Sequence, residues 1–173
     1  MNLRDRLQPA LLDRLTDLAP LSRVETEDTR VMNKSQIREA VLRDLSWLLN
    51  SVQPLSKAVA IQYPQAADSV LNYGLPAMSG QLASRVDVSQ LERTIKQAIL
   101  RFEPRVMEDS LEVKALEASG VLDTHNVIEF EIRGFMWAQP VPLELLLRTQ
   151  VDLEAGQVEV RDAGGSGPSR RKT

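Results

Sequence analysis

Acidic residues are the side chains of this sequence that come closest to a catalytic arrangement. Glu103, Glu108 and Asp109 lie close together around a predicted turn. Glu129 and Glu131 share one face of a predicted strand, about 7 Å apart. Two carboxylates at such a separation can hydrolyse a glycosidic bond, one as acid and one as base. The same spacing arises on any solvated strand face, and no neighbour in sequence would raise the pKa of either acid, so catalysis is the less favoured interpretation.

The composition removes other kinds of catalytic centre. The 173 residues include no cysteine and one histidine, His125. Thiolate metal sites, cysteine nucleophiles and sites with two histidines are excluded, and a Ser-His-Asp triad would need His125. This histidine lies in a predicted polar turn, and neither a nucleophile elbow nor a phosphate-binding glycine loop occurs. We therefore expect no metal site, no cofactor and no small-molecule substrate.

The charge distribution argues against nucleic acid as a partner. The net charge is −3, and residues 164–173 contribute +3, which leaves −6 for the remaining 163 residues. No apolar run approaches the roughly 18 residues that span a bilayer. The first residues include early acids and a proline, which is not typical of a signal peptide. The sequence predicts a cytoplasmic protein that does not insert into membranes.

Periodic patterns predict two long helices followed by strands. Asn33 or Ser35 can cap a helix that runs to Asn50 with one apolar stripe. A second helix follows, and Pro104 ends it. Beyond it, apolar and polar residues alternate in three segments, and a glycine turn leads to a fourth. This order predicts an α+β fold, with helices packed on one face of a mostly antiparallel sheet or meander of three to four strands.

Composition divides the chain into three parts. Residues 1–33 combine a leucine-rich helical arm with a polar linker, residues 34–160 form a single α+β domain, and residues 161–173 form a flexible basic tail. The leucines of the arm share one helical face. This face either packs on its own domain or docks on a partner, and the sequence favours neither.

Two segments combine chemistry with a restricted backbone. In Glu103-Pro104-Arg105 an acid ends a helix, where the macrodipole disfavours negative charge, and an arginine two residues later can offset that cost. The corner set by the proline can cap the helix or recognise a partner through the acid and the bidentate donor. The segment from Ser69 to Pro76 contains Asn-Tyr-Gly, which demands a turn. It can cover the core or serve as a docking loop.

These segments resemble those of a known family. The chain is similar to TssE, the small wedge subunit of the type VI secretion baseplate, in four segments that occur in the same order: Ile37 to Asn50, Ser69 to Pro76, Glu103 to Arg105, and Phe135 to Pro140. That family is in turn similar to a wedge protein of contractile-tailed phages long labelled lysozyme-like. The resemblance runs from about Leu11 to Val160.

The resemblance implies a structural subunit and no enzyme. It implies that the chain joins other baseplate wedge subunits and supplies the platform on which sheath subunits begin to polymerise. Glu103-Pro104-Arg105 would contact the wedge, and so would Leu12-Asp13-Arg14-Leu15, which matches a family segment that usually begins with Phe. Glu103→Ala or Arg105→Ala would then block incorporation and leave the domain folded. The lysozyme label supplies the alternative function, a muralytic glycoside hydrolase.

A strand edge adds a mechanism for starting the sheath. A meander leaves at least one edge strand whose N–H and C=O groups can accept a strand from another chain. We predict that strands between Asn126 and Val160 offer this edge to sheath subunits. The residues assigned to that contact are Phe130, Ile132, Leu145 and Leu147.

Overall fold

Helices precede strands along the chain. The structure is a computed structural model that describes residues 9–16, 21, 32–78, 86–116, 126–138 and 141–164. Within these ranges the helices are α1 Leu11–Leu15, α2 Lys34–Asn50, α3 Lys57–Gln62, α4 Pro64–Ala67 and α5 Val88–Phe102. The strands are β1 Glu112–Ala115, β2 Val127–Met136, β3 Leu143–Asp152 and β4 Gln157–Asp162. The turn predicted at His125, most of the N-terminal arm and the tail from residue 165 lie outside the described residues.

A capping box fixes the start of α2. The Asn33 side chain accepts a hydrogen bond from the Gln36 N–H at 2.9 Å, and the Gln36 side chain accepts one from the Asn33 N–H at 2.9 Å. This pair satisfies two backbone donors that would otherwise lack partners. The buried residues of α2 are Ile37, Ala40, Val41, Leu45, Leu48 and Leu49. The predicted helix through Asn50 is confirmed, with Asn33 as its cap.

Removing this cap should weaken the domain measurably. We expect Asn33→Ala to lower the free energy of unfolding by about 1 kcal/mol, because the Gln36 N–H loses the side-chain oxygen that accepts its hydrogen bond. Urea denaturation measures the change. Ser35→Ala is the control, because its hydroxyl makes only an exposed contact of 3.4 Å with Glu39; it should stay within about 0.5 kcal/mol. Equal losses in the two variants would contradict the capping assignment.

Helix α5 ends directly before the Glu103-Pro104-Arg105 corner. The Asp87 side chain caps it by accepting a hydrogen bond from the Gln90 N–H at 3.0 Å. Its apolar face is buried through Leu91, Ile95, Ala98 and Ile99. The helix ends at Phe102, two residues before the proline that cannot continue it. Among the residues that the structure describes, none of the helices has the length and apolar character needed to cross a bilayer.

The four described strands form one antiparallel sheet in the order β1-β2-β3-β4. Alternate side chains of β2 and β3 enter the core, where Phe130 and Leu147 are fully buried with Leu45 of α2 and Ile99 of α5. The opposite face carries charged and polar side chains such as Arg133. The predicted α+β class is therefore confirmed, because the helices and one face of the antiparallel sheet form the core.

The residues predicted to form a free strand edge lie inside this sheet. Phe130 and Ile132 belong to β2, and Leu145 and Leu147 belong to β3. These are the two central strands, so each already has a strand on both sides. The four residues are at most 1% exposed. The edge assignment is corrected accordingly: these residues build the core, and the outer strands are β1 and β4.

The loop from Ser69 to Pro76 divides into two parts. Asn72 and Leu75 are buried, and Leu75 forms a parallel bridge with Val52. Val70 and Leu71, by contrast, are 78% and 67% exposed. The second half of the loop therefore covers the core, whereas its first half displays apolar side chains to solvent.

Candidate partner-binding site

The Glu103-Pro104-Arg105 corner is held between helix α5 and strand β2. The Glu103 N–H donates to the Ile99 carbonyl at 2.8 Å, which completes the last turn of the helix. The Trp137 N–H donates to the Arg105 carbonyl at 2.7 Å. Since the chain is hydrogen-bonded to a helix on one side of Pro104 and to the sheet on the other, the corner has little freedom to change shape.

Glu103 and Arg105 form a bidentate ion pair. Arg105 Nε donates to Glu103 Oε1 at 2.6 Å, and Arg105 Nη2 donates to Glu103 Oε2 at 2.5 Å. The Arg105 backbone N–H adds a third bond to Oε1 at 3.1 Å. The Glu103 side chain is 4% exposed and that of Arg105 is 25% exposed. Glu103 therefore orients the arginine, whose outer quarter remains at the surface.

A chain of alternating charges extends from this pair to the N-terminal arm. Arg105 Nη2 also contacts Asp44 Oδ2 at 2.5 Å. The other oxygen of Asp44 accepts from Arg43 Nη2 at 2.7 Å. Arg43 Nη1 in turn contacts Asp13 at 2.6 Å. Three acids and two arginines are thereby connected, which ties α1, α2 and the corner together across the surface of the domain.

The carboxylates hold both arginines in the charged state. Burial of the Arg105 guanidinium lowers its pKa, but the hydrogen bonds and charges of Glu103 and Asp44 outweigh that effect, so the pKa lies above its ordinary value. The hydrogen bond that Arg43 donates to Asp13 likewise raises the pKa of Arg43, with Asp44 contributing. Both arginines therefore stay protonated at any physiological pH.

Tyr73 connects the core-covering loop to the same site. Its ring meets that of Phe102 edge to face, with centroids 5.1 Å apart and planes at 65°. Its hydroxyl lies 3.5 Å from the backbone carbonyl of Asp44. Burial raises the pKa of Tyr73, and the charges of Asp44 and Glu103 add to that rise. The loop, α2 and the corner therefore share one packed boundary.

The Leu12-Asp13-Arg14-Leu15 segment lies in α1 and has two different faces. The Asp13 side chain is 6% exposed and contacts Arg43, and its second oxygen is buried without a hydrogen-bond partner among the described residues. Leu12 and Leu15 are 43% and 74% exposed. Helix α1 thus contacts the domain through an ion pair and leaves much of its leucine surface uncovered.

The acids considered for catalysis make structural contacts. Glu129 accepts a hydrogen bond from Gln150 at 2.6 Å, and Glu131 contacts Arg133 at 2.6 Å. Both lie on the polar face of the sheet. Glu108 and Asp109 are exposed on the short 3₁₀ turn that precedes β1. The described residues contain no group of three His, Asp or Glu side chains that could hold a metal ion.

Arg43 and Asp44 were missed by the sequence analysis. Both lie off the apolar stripe of α2, a position that periodicity assigns to solvent. Their partners are distant, since Asp13 precedes Arg43 by 30 residues and Arg105 follows Asp44 by 61. The adjacent opposite charges on one helix turn were the only local signal. That signal alone could not predict that Asp44 pairs with Arg105 of the corner.

Residues 35–141 match a family model described as "Baseplate wedge protein gp25". These residues make up more than half of the 173-residue chain and include α2, the loop and the corner. The chain belongs to the baseplate wedge protein gp25 family. The resemblance to baseplate wedge proteins inferred from the sequence is thereby confirmed, and all four segments that carried it lie within the matched range.

Comparison with a solved structure and with curated proteins gives two further findings. This wedge-family chain is similar to a chain of "The baseplate complex from the type VI secretion system", with a TM-score of 0.46 and 21% sequence identity. The similarity covers 67% of this chain and 93% of that chain. No curated protein matches the sequence.

Proposed function

We propose that this chain is a structural, non-enzymatic subunit of a type VI secretion baseplate. It joins the wedge through the Glu103-Pro104-Arg105 corner and starts the contractile sheath through its C-terminal strands, with wedge and sheath subunits as its partners. Membership of the wedge family supports the baseplate role. The four segments similar to those of TssE support the type VI assignment and assembly in the cytoplasm.

The preassembled corner is the observation that carries this proposal. Pro104 is exposed, and Arg105 presents a quarter of its side chain beside it, whereas Glu103 is buried behind both. A partner would contact Pro104 and the outer edge of the guanidinium. Because the ion pairs already fix the arginine, binding would cost little side-chain entropy. Glu103 would contribute by positioning Arg105.

The exposed leucines of α1 support a second contact with the wedge. Leu11 and Leu15 are 73% and 74% exposed, and none of the leucines of this helix is buried. Apolar side chains that a domain leaves uncovered are suited to burial against a partner. Asp13 would hold the arm beside the corner, so that both wedge contacts fall on one side of the domain.

A charge-bearing substitution at the corner tests the wedge contact. We expect Pro104→Glu to reduce co-purification with the cognate wedge subunits at least tenfold, because a carboxylate replaces a contact surface beside Arg105. Ala155→Glu is the control. Ala155 is exposed in the β3–β4 turn, at the end of the sheet opposite the corner. Affinity capture from cells that co-express the wedge subunits measures the effect.

The control variant, Ala155→Glu, should capture wedge subunits as well as the natural chain does. Both variants should unfold at the temperature of the natural protein, because neither position is buried. Undiminished capture of wedge subunits by Pro104→Glu would overturn the corner assignment. Equal loss in both variants would show that added negative charge, rather than the corner, decides binding.

A further inference from the structure

The outer edge of β4 is occupied by a side chain of helix α2. Asn50, the last residue of α2, donates from Nδ2 to the Val158 carbonyl at 2.8 Å. Its Oδ1 accepts from the Val158 N–H at 2.9 Å. One side-chain amide therefore satisfies both main-chain groups of the same strand residue. An adjacent strand would form the same two bonds.

Alternation along β4 shows which groups face outward. The Ala163 N–H, at the end of β4, donates to the Leu146 carbonyl of β3 at 2.9 Å. Residues of odd number therefore pair with β3, and Val158 and Val160 point their main-chain groups away from the sheet. Asn50 covers Val158. In the described part of the chain no hydrogen bond covers Val160.

Asn50 is itself held in place for this contact. Its Nδ2 makes a second bond, to the Ser46 carbonyl one helical turn earlier, at 2.8 Å. Both amide hydrogens and the amide oxygen are thus engaged. The residue is nevertheless exposed to solvent. A strand from another chain could therefore reach Asn50 and replace its hydrogen bonds to Val158.

The other outer strand offers a poorer edge. β1 has four residues, and its Ala115 N–H donates to the Glu92 side chain of α5 at 2.7 Å. β4 has six residues, and Asn50 covers the main chain of Val158 but not that of Val160, so β4 can pair with a longer segment. Short or covered edges are how proteins prevent unwanted strand pairing. Strand addition is therefore more favourable at β4.

We infer that Asn50 is a displaceable plug on the β4 edge, which an extended segment of the sheath partner proposed above displaces when it binds. The incoming strand pairs first with Val160 and then takes over both bonds at Val158. Until then the amide keeps the edge from pairing with other chains. This inference rests on the proposed function, because it assigns the control of the same sheath contact.

Asn50→Ala removes the plug and leaves the strand intact. Ser51→Ala is the matched control, because the Ser51 hydroxyl donates to the Trp47 carbonyl at 2.8 Å and makes no described contact with β4. A net hydrogen-bond contribution near 1 kcal/mol is about a fivefold factor. In Asn50→Ala we expect the Val158 N–H to exchange with deuterium about fivefold faster, and the affinity for cognate sheath subunits to rise about fivefold. Ser51→Ala should change neither.

The outcomes separate the inference from the proposed function. Unchanged exchange at Val158, or faster exchange with equal or weaker sheath binding, would overturn the plug. If neither the natural chain nor any variant binds sheath subunits, the proposed function fails. Analytical ultracentrifugation of the variants then tests the plug by itself, through their self-association. Self-association of Asn50→Ala at concentrations where Ser51→Ala stays monomeric would then support the plug as an edge guard. Equal sedimentation of the two variants would overturn it.

Discussion

Arg105→Met is expected to lower the free energy of unfolding by about 3 kcal/mol, because it removes the cation that two carboxylates share. Glu103 would remain buried with only the Arg105 backbone N–H as a partner in the corner. Asp44 would keep its ion pair with Arg43 and lose its shorter contact, the one with Arg105. For a domain of this size such a loss corresponds to a melting temperature about 10 °C lower. Urea and thermal denaturation measure both quantities.

A double variant shows whether the pair stabilises the domain or only compensates for its own burial. Glu103→Leu combined with Arg105→Met replaces the buried pair by apolar side chains of similar size. We expect it to recover most of the stability lost in Arg105→Met, because the unpaired buried charge is gone. The coupling energy follows from the double-mutant cycle. Both Arg105→Met and the double variant should fail to capture wedge subunits, since the exposed guanidinium is absent from each.

The control for this experiment is an arginine in an exposed pair. Arg161 contacts Glu159 at 2.8 Å, and their side chains are 63% and 57% exposed. Arg161→Met should change stability by less than about 0.5 kcal/mol, because solvent screens such pairs. A loss at Arg105 no larger than the loss at Arg161 would contradict the structural role of the corner. Full wedge capture by the double variant would contradict its role in recognition.

This expectation adds a stability cost to the one that the resemblance supports. The resemblance predicts that Arg105→Ala leaves the domain folded and blocks its incorporation, and it assigns no stability cost to the arginine. The structure shows the arginine linking Glu103 to Asp44, a residue 61 positions away. The residues next to Pro104 predict the turn and the pairing of Glu103 with Arg105. They do not predict that Arg105 also contacts the carboxylate of Asp44. The cost of removing Arg105 therefore became apparent only from tertiary contacts.

Strand positions show the same division between local and distant information. Alternation correctly predicts β1, β2 and β3, because residues facing the core are apolar whatever the strand's neighbours are, and the glycine turn correctly predicts β4. Phe130 and Leu145 were nevertheless assigned to an edge, although both lie on central strands. Edge strands and central strands differ in how many of their main-chain groups are hydrogen-bonded, and this difference has little effect on which side chains they carry. The cover that Asn50 places on β4 could not be predicted for the same reason.

Gly74→Ala is expected to destabilise the domain by about 3 kcal/mol or more, for two independent reasons. The backbone of Gly74 has φ of 112°, a conformation that side chains of L residues rarely adopt. A Cβ atom at this position would also lie 2.2 Å from the Ser51 carbonyl oxygen. That oxygen accepts the Leu75 N–H at 2.8 Å, so relief of the overlap would break the bridge between the loop and the end of α2.

Gly134→Ala supplies the matched control within the same core. A Cβ atom there would meet its nearest neighbours at 3.5 Å, an ordinary contact distance. Its φ is not positive, so no backbone strain is added. We expect a change of less than about 1 kcal/mol in urea denaturation. Similar losses at the two glycines would show that the Gly74 conformation is not required.

The loss at Gly74 should extend to the partner-binding site. Tyr73 precedes this glycine and packs its ring against Phe102, beside the corner. If the loop moves to relieve the overlap, Tyr73 loses that position and the last turn of α5 loses its cover. We therefore expect Gly74→Ala to speed amide exchange at Glu103 as well as at Leu75, whereas Gly134→Ala should leave both unchanged. Faster exchange confined to Leu75 would show that the loop and the corner are independent.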